Sequence, residues 1–450
     1  MPKNKLTFQK KSIRTSSPLK AAAAIGVAAV TMTGGGFTAT AGASGNTTLK
    51  IITWVNPPAV QALKTIDAEF EKANPNITVQ LQTAANTTTG YATLEETSVD
   101  SNSADIVTNV TQIQPLPLKP TRANMSPVQY WGTSGAFLPL NGQPFMKDFT
   151  SSALGTETYN GKVYGILSGV YQEMIFYNKA DFAKYHISVP TTYNQFITVL
   201  KTLKADNVTP LWLGLGSGAS IYVERFIDEA LMGELWLRHV PGQNLATDLE
   251  NGSVSWTSPY FVQAMSEEAT IAKYLEPDYT GVSWEGMPGA FALNKSPMLL
   301  DGSWDLTSVQ QANPNIQVGS FPLPGSNIAS QNEAVANPDL TIQILAKSPN
   351  KVAALKWLSF FASKPIYKQY VDITGISPSE SGGSYNSFSA KALGSLFGTG
   401  YNAGIVMPTL ALTEGYYDTP TEWPLLQEAV MAGTDTPQQA AKLIAQDWKK

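Results

Sequence analysis

Two hydrophobic periods alternate along most of this chain. "LKIITWV" (Leu49 to Val55) is a β-branched run and predicts a strand. "NPP" breaks it, and in the next stretch Val60, Leu63, Ile66, Ala68 and Phe70 fall near helical spacing until Asn74-Pro75. "ITVQLQT" (Ile77 to Thr83) then alternates as a half-buried strand does. The chain thus opens as strand, helix, strand, a βαβ unit. "ADIVTNV", "EMIFYN", "TPLWLGL", "SPMLLDG", "IQVGSFPLP" and "LTIQILA" predict further strands. Between them, "YNQFITVLKTLKADN" and "NKVAALKWLSFFAS" predict amphipathic helices, and the last segment predicts a helical hairpin around a Gly-Thr-Asp-Thr-Pro turn. No internal repeat or long low-complexity linker interrupts this rhythm. Alternation of this kind implies α/β architecture with mostly parallel sheets, whose ligands sit beyond the carboxyl ends of the strands.

At 450 residues the chain exceeds one ordinary core, so two or three domains are expected. Apolar residues make up 43% and charged residues 14%, well under the roughly 25% charged of an average soluble protein. The surface is therefore polar but weakly ionised. Without a basic stripe there is nothing to neutralise phosphates, which excludes nucleic-acid binding.

Before the first strand the pattern is different. Lys3, Lys5, Lys10, Lys11, Arg14 and Lys20 precede any acid, and "AAAAIGVAAVTM" and the small-residue stretch "GGGFTATAGAS" follow. That is the order of a secretory signal peptide, read as residues 1–43 with A-x-A sites at Ala39 to Ala41 and Ala41 to Ala43. The apolar run is short for a bilayer span. Losing those six cations moves the formal charge from −5 to −11, so an acidic, exported protein is expected.

Composition then closes off several chemistries. No cysteine is present, which removes thiolate metal sites, thiol catalysis and a lipidated cysteine. The two histidines, His186 and His239, form no H-E-x-x-H spacing, and no G-x-S-x-G elbow occurs. "GLGSGA" (Gly214 to Ala219) fits G-x-G-x-x-A, but no acid closes a second strand about 20 residues on, so a plain loop is the better reading. The pairs Glu95-Glu96 and Glu267-Glu268 are expected on solvated helix faces. A glycosidase pair among Asp301, Asp305, Glu173 and Glu422 stays open, because sequence does not give carboxylate separations.

Aromatics tip the balance towards a sugar. Ten Trp and eighteen Tyr in a weakly charged exported chain suit carbohydrate, since the axial C–H face of a pyranose rests well on an indole. Trp357, Trp212 and Trp236 are expected in cores, whereas Trp304 and Trp423 adjoin turns. In "MLLDGSWDL" (Met298 to Leu306), Gly302 is expected to permit the tight turn and Asp305 to cap the helix that follows.

Several motifs, in order, resemble those of the extracellular solute-binding proteins of ABC importers, in the sugar-binding family that includes maltose-binding protein. They are "FEKANPNITVQ", "ADIV", "NGKVYGIL", "FYNKADFAKYHISVPTTYNQF", "MLLDGSWDL" with "VGSFPLPG", and "TGISPS". Together they cover nearly the whole mature chain. Departures are Ala104 for the usual Pro, Tyr193 for a frequent Trp, and Gly in "TMTGGG" where a lipid-bearing Cys is usual.

The resemblance implies a two-lobed, periplasmic-binding-protein-like (type II) α/β fold with a ligand cleft between lobes joined by hinge crossovers. Lobe 1 is expected at 47–168 plus 337–374, and lobe 2 at 169–336 plus 375–450. It also implies ligand contacts. Trp304 and Trp423 fall at stacking positions, Tyr171 and Gln172 near a polar contact, Asn56 and Pro57 in the first contact loop, and Asp301 supplies the nearest acceptor. The implied function is capture of an oligosaccharide and delivery to ABC permease membrane subunits, by a monomer without enzymatic activity, metal or cofactor. The protein would be extracellular or cell-surface associated, with a lipid anchor doubtful. Readings kept open are a secreted carbohydrate-active enzyme, the same fold carrying a polyol or other solute, and a sensory receptor.

Overall fold

The computed structural model describes residues 46–85, 90–109, 125–216, 220–240, 245–398 and 422–447, so the expected leader lies outside the described residues. Among the described residues twelve strands appear: β1 (Thr47–Trp54), β2 (Ile77–Ala84), β3 (Ile106–Asn109), β4 (Thr158–Tyr159), β5 (Lys162–Val163), β6 (Gly165–Leu167), β7 (Gly169–Asn178), β8 (Met298–Gly302), β9 (Val318–Phe321), β10 (Val335–Pro338), β11 (Thr341–Ile344) and β12 (Ser377–Pro378).

The opening unit forms as its periodicity predicts. Asn56 Oδ1 accepts the Ala59 amide at 3.2 Å and so caps helix Pro57–Ala73, which starts on proline, a residue that costs nothing at that position. Its inward face, with Ala62, Leu63, Ile66 and Phe70, covers β1 and β2, which pair in parallel along their whole length. Asn74 ends it, its side chain donating back to the Phe70 carbonyl at 2.8 Å. The C-terminal hairpin is also present. Helices Glu422–Met431 and Pro437–Asp447 are joined through Gly433 (φ +73°), and Thr436 and Gln439 cap the second reciprocally.

Two larger sheets organise the rest. The first runs β2-β1-β3-β11-β6, and its core is built from 49–166 and 340–376, with Phe70, Ile106, Trp357, Phe361 and Tyr370 fully buried. The second is centred on β7, ten residues long, with β10 and β9 along one edge and β12 and β8 along the other. Its core draws on 174–335 and 392–444. "Mostly parallel" does not hold. Among the described strands, β1–β2 and β1–β3 are the parallel ladders, joined by single parallel bridges such as Trp212 with Leu299; β11 returns antiparallel to β3 and β6, and every ladder of β7 is antiparallel. The reason is that β6 and β7 are nearly continuous, so the chain enters the second sheet against its later strands. "TPLWLGL" forms no full strand and joins β8 only around Trp212, whose amide donates to Met298 O at 3.0 Å.

The chain passes between the two sheets three times: at Ser168 between β6 and β7, at Asp339-Leu340 between β10 and β11, and near Gly375 on the way to β12. These passages are tied together. The Ser168 amide donates to Leu340 O at 2.8 Å and Asp339 to Gly169 O at 2.9 Å. The Tyr367 hydroxyl donates to Ser168 O at 2.7 Å and accepts the Ser379 amide at 2.6 Å.

Three acids expected at the surface are buried. Glu95 shares the inward face of helix Tyr91–Ser101 with Tyr91, Ser98 and Val99, and accepts Asn109 Nδ2 at 2.9 Å. Glu267 and Glu268 sit inward on helix Pro259–Ile271, accepting Gln263 and Gln427 at 2.9 and 3.2 Å. Only Glu96 of those pairs is exposed; the donors to Glu95 and Glu268 come from distant residues that local sequence does not reveal, whereas Gln263 serves Glu267 from one turn away on the same helix. Trp236 and Trp357 are core as expected, and Trp212 is half-buried. Among the described residues, no helix is long and apolar enough to cross a membrane.

Candidate functional site

The apolar run of β8 is held against β7 with Asp301 opposite Met174 and Gly302 opposite Glu173. After Gly302 the chain enters a short 3-10 turn, Ser303–Asp305, and then helix Leu306–Ala312. Gly302 is not there for the turn, since its backbone is ordinary extended chain (φ −88°, ψ 152°). Its place is fixed by the Trp304 ring, which folds back over it: a Cβ at this position would lie 2.0–2.3 Å from three indole carbons. No side chain fits between them.

Trp304 stays partly exposed. Tyr171 meets it edge-on, with centroids 4.7 Å apart and planes at 87°, and Phe226 does so at 5.7 Å and 61°. Edge-to-face pairs of this sort each add about 0.5–1.5 kcal/mol beyond burial. Tyr171 is also half-buried and lies opposite Asn337 of β10, so the aromatic corner stands on the strand segment that leaves the crossover. Phe226, on helix Ser220–Leu231, escaped sequence reasoning because its helical spacing reads as ordinary core. The same helix reaches the crossover through Glu229, which accepts Asn337 Nδ2 at 3.0 Å.

Two carboxyls lie beside the indole. Asp301 is fully buried, and its Oδ1 accepts the Gly302 amide at 2.7 Å. Asp305 holds the N-cap position, yet its side chain makes no cap bond, against expectation; its Oδ2 instead accepts Trp304 Nε1 at 3.2 Å. Burial raises both carboxyls above the usual range, Asp301 further because the Asp305 charge faces it.

Other expected contacts are placed differently. Gln172 is fully buried with both amide ends engaged: Nε2 donates to Leu396 O at 2.6 Å, and Oε1 accepts Ser377 Oγ at 2.7 Å. Its amide donates to Ser303 Oγ at 3.1 Å, so it braces the turn carrying Trp304 against β12. Asn56 is spent on its helix cap, beside the end of β1 in the other sheet, and Pro57 opens that helix. The Trp423 side chain lies outside the described residues, although its backbone is in helix Glu422–Met431. The structure therefore joins Trp304, Tyr171, Asp301 and the backing Gln172, and leaves Asn56 apart on the first sheet.

Rival sites are weak. Of "GLGSGA", residues 217–219 lie outside the described part; Gly214 and Gly216 pack against the backbone of Gly281 and Val282, where a Cβ would come within 2.5–2.8 Å. They serve close packing rather than a phosphate. A cavity of about 250 Å³ bordered by Asp100, Asn102, Tyr130, Trp131 and Lys347 shares no residue with the aromatic corner. Among the described residues, no cluster of three or more His, Asp or Glu is placed to hold a metal.

Against known proteins, a family model described as bacterial extracellular solute-binding protein matches residues 55–368. A multiple sugar-binding protein of Streptococcus mutans is 25% identical over 323 residues, covering 70% of each chain. The melibiose/raffinose/stachyose-binding protein of Bacillus subtilis is 23% identical over 222 residues, 48% of this chain and 51% of that one. Among solved structures, the solute-binding protein RafE in complex with raffinose superposes with a TM-score of 0.71 at 19% identity, covering 89% of this chain and 98% of RafE. A chitin oligosaccharide binding protein gives the same values. At such identities the structural likeness is one of fold.

Proposed function

The chain belongs to the bacterial extracellular solute-binding protein family, and from that membership we propose that it captures an oligosaccharide and hands it to the membrane subunits of an ABC importer. The family consists of non-catalytic binding proteins, so recognition rather than turnover is the chemistry to explain. The observation that carries the sugar reading is the partly exposed indole of Trp304, braced by Tyr171 and Phe226 where β7 leaves the crossover. A braced indole loses little freedom when a pyranose stacks on it. Relatives named for raffinose, melibiose, stachyose and chitin oligosaccharides support an oligosaccharide class.

In this reading 47–168 with 337–374 forms one lobe and 169–336 with 375–450 the other, hinged at the three crossovers. Trp304 and Tyr171 stack and orient the sugar. Trp423 adds a second aromatic face, and Asn56 and Pro57 mark the opposing lip. Asp301 and Gln172 act from behind, by fixing the turn. Closure of the lobes presents the loaded form to the permease. The protein is exported by cleavage after residue 43 and works as a monomer at the cell surface.

The test is calorimetric titration with melibiose, raffinose, stachyose and chitin oligosaccharides, paired with small-angle scattering. At least one sugar is expected to bind and to shrink the radius of gyration. Trp304→Ala should weaken that sugar at least tenfold, about 1.4 kcal/mol, with unchanged circular dichroism. Heat from none of these sugars would sink the oligosaccharide reading.

A further inference from the structure

Gly214 and Gly216 of "GLGSGA" hold no phosphate, but their packing shapes one edge of the second sheet. That sheet does not stop at β8. Residues 211–216 run parallel to it: Trp212 is bridged to Leu299, its amide donates to Met298 O at 3.0 Å, and the Leu300 amide donates to Trp212 O at 3.2 Å. Residues 275–283, which include a turn at 277–281, continue the sheet beyond that segment. Leu211 is bridged in parallel to Leu275 and Gly216 to Ser283, and the amides of Leu215 and Gly216 donate to Tyr279 O and Val282 O, each at 2.7 Å. A Cβ on Gly214 or Gly216 would come within 2.8 or 2.5 Å of this third segment, so glycine is what lets it lie so near.

Three segments of one direction therefore end side by side, and ligands of parallel strands lie beyond such carboxyl ends. β8 ends at Gly302, two residues before Trp304. The third segment ends at Ser283, directly before Trp284, which opens the short 3-10 turn Trp284–Gly286. Trp284 is partly exposed between exposed Ser283 and Glu285, so it stands at the rim of the core rather than inside it. Ser283 Oγ donates to the Glu285 carboxylate within this turn. The Trp284 indole N–H is buried and faces the Asp301 carboxyl, which ties the turn to the residue before Gly302.

Resting on the oligosaccharide reading above, we propose that Trp284 is a second stacking residue of this lobe, that it serves a sugar unit beyond the one on Trp304, and that it thereby selects for chains longer than a disaccharide. The spacing argues for separate units. The ends of the two segments lie two strand spacings apart, about 10 Å. Two faces gripping a single ring stand closer, about 7–8 Å, twice a carbon contact distance. Between them, Gly214 and Gly216 present no side chain. Loss of the Trp284 face is then felt only by a chain long enough to reach it.

Calorimetry on the full-length protein tests this with melibiose against stachyose, and with the disaccharide against the tetrasaccharide of chitin. Trp284→Ala should weaken the tetrasaccharide at least tenfold and the disaccharide of the same series less than threefold, whereas Trp304→Ala weakens both. Trp284→Phe, which keeps a stacking face, should recover most of the loss; Trp284→Leu, which keeps apolar packing without that face, should not. Unchanged tetrasaccharide affinity in Trp284→Ala overturns the proposal. So does equal weakening of both lengths, which would mean that Trp284 acts by packing on the Trp304 turn, and so does equal recovery in the Leu and Phe variants. If Trp284→Ala does not fold, the Leu and Phe variants decide. Wild-type protein that binds neither series defeats the oligosaccharide reading and this inference together; wild-type binding that the Trp284 variants leave unchanged defeats this inference alone.

Discussion

At the scale of single residues, the aromatic corner depends on close packing around the Trp304 ring. Gly302 gives the sharpest case. A methyl group there would overlap the Trp304 ring carbons at 2.0–2.3 Å, and because the backbone is ordinary extended chain, nothing else penalises alanine. Gly302→Ala should therefore fold, push the ring off its seat, and cost about 1–3 kcal/mol of stability, the usual price of overpacking. Sugar affinity should fall with it. Urea unfolding and calorimetry check both, and an unchanged affinity would mean that the ring angle is irrelevant to capture. Gln172 teaches the converse. Its position next to Tyr171 looked like a ligand contact, but both ends of its amide are bonded to protein, so a ligand gains nothing from it directly.

Between elements, the decisive feature is how the three crossovers are joined. Tyr367 lies in helix Lys364–Thr374, yet its hydroxyl bonds Ser168 in the first passage and Ser379 just past the third. Tyr367→Phe keeps the ring packing against Phe149 and Phe361 but strands the buried Ser379 N–H and Ser168 carbonyl. Leaving such groups unpaired costs about 1–3 kcal/mol. Hydrogen exchange should accelerate at the Ser379 amide while the amides of β1 stay protected; equal protection in the variant would remove Tyr367 from the hinge. Little of this was legible beforehand. The order of strands and helices could be read because one buried face leaves a period of 2 or 3.6 in the residues that build it, as in Val60 to Phe70. Strand direction left no such trace, so the antiparallel return of β11 and all the partners of β7 were missed. Buried acids were missed for a related reason: Glu95 is made tolerable by Asn109 and Glu268 by Gln427, 14 and 159 residues away. Trp304 was legible from its turn, whereas Phe226, which braces it, looked like any other helix-face residue.

For the whole molecule, the buried acids set the pH dependence of stability. Burial lifts Glu95 to about 8, Asp67, Glu267 and Glu276 to about 7, and Asp339 to about 6. Unfolded, such groups titrate near 3.9–4.3. Between those limits the folded chain holds protons that the unfolded chain has released, so stability falls as pH rises. Each group contributes a slope of up to about 1.4 kcal/mol per pH unit until its folded value is passed. The stabilisation is complete below about pH 4 and lost by about pH 8. Thermal unfolding should accordingly show a higher midpoint at pH 5 than at pH 8. Glu95→Gln and Asp67→Asn, whose amide oxygens can still accept from Asn109 and Trp357, should flatten the decline. A midpoint that rises from pH 5 to pH 8 would contradict the account.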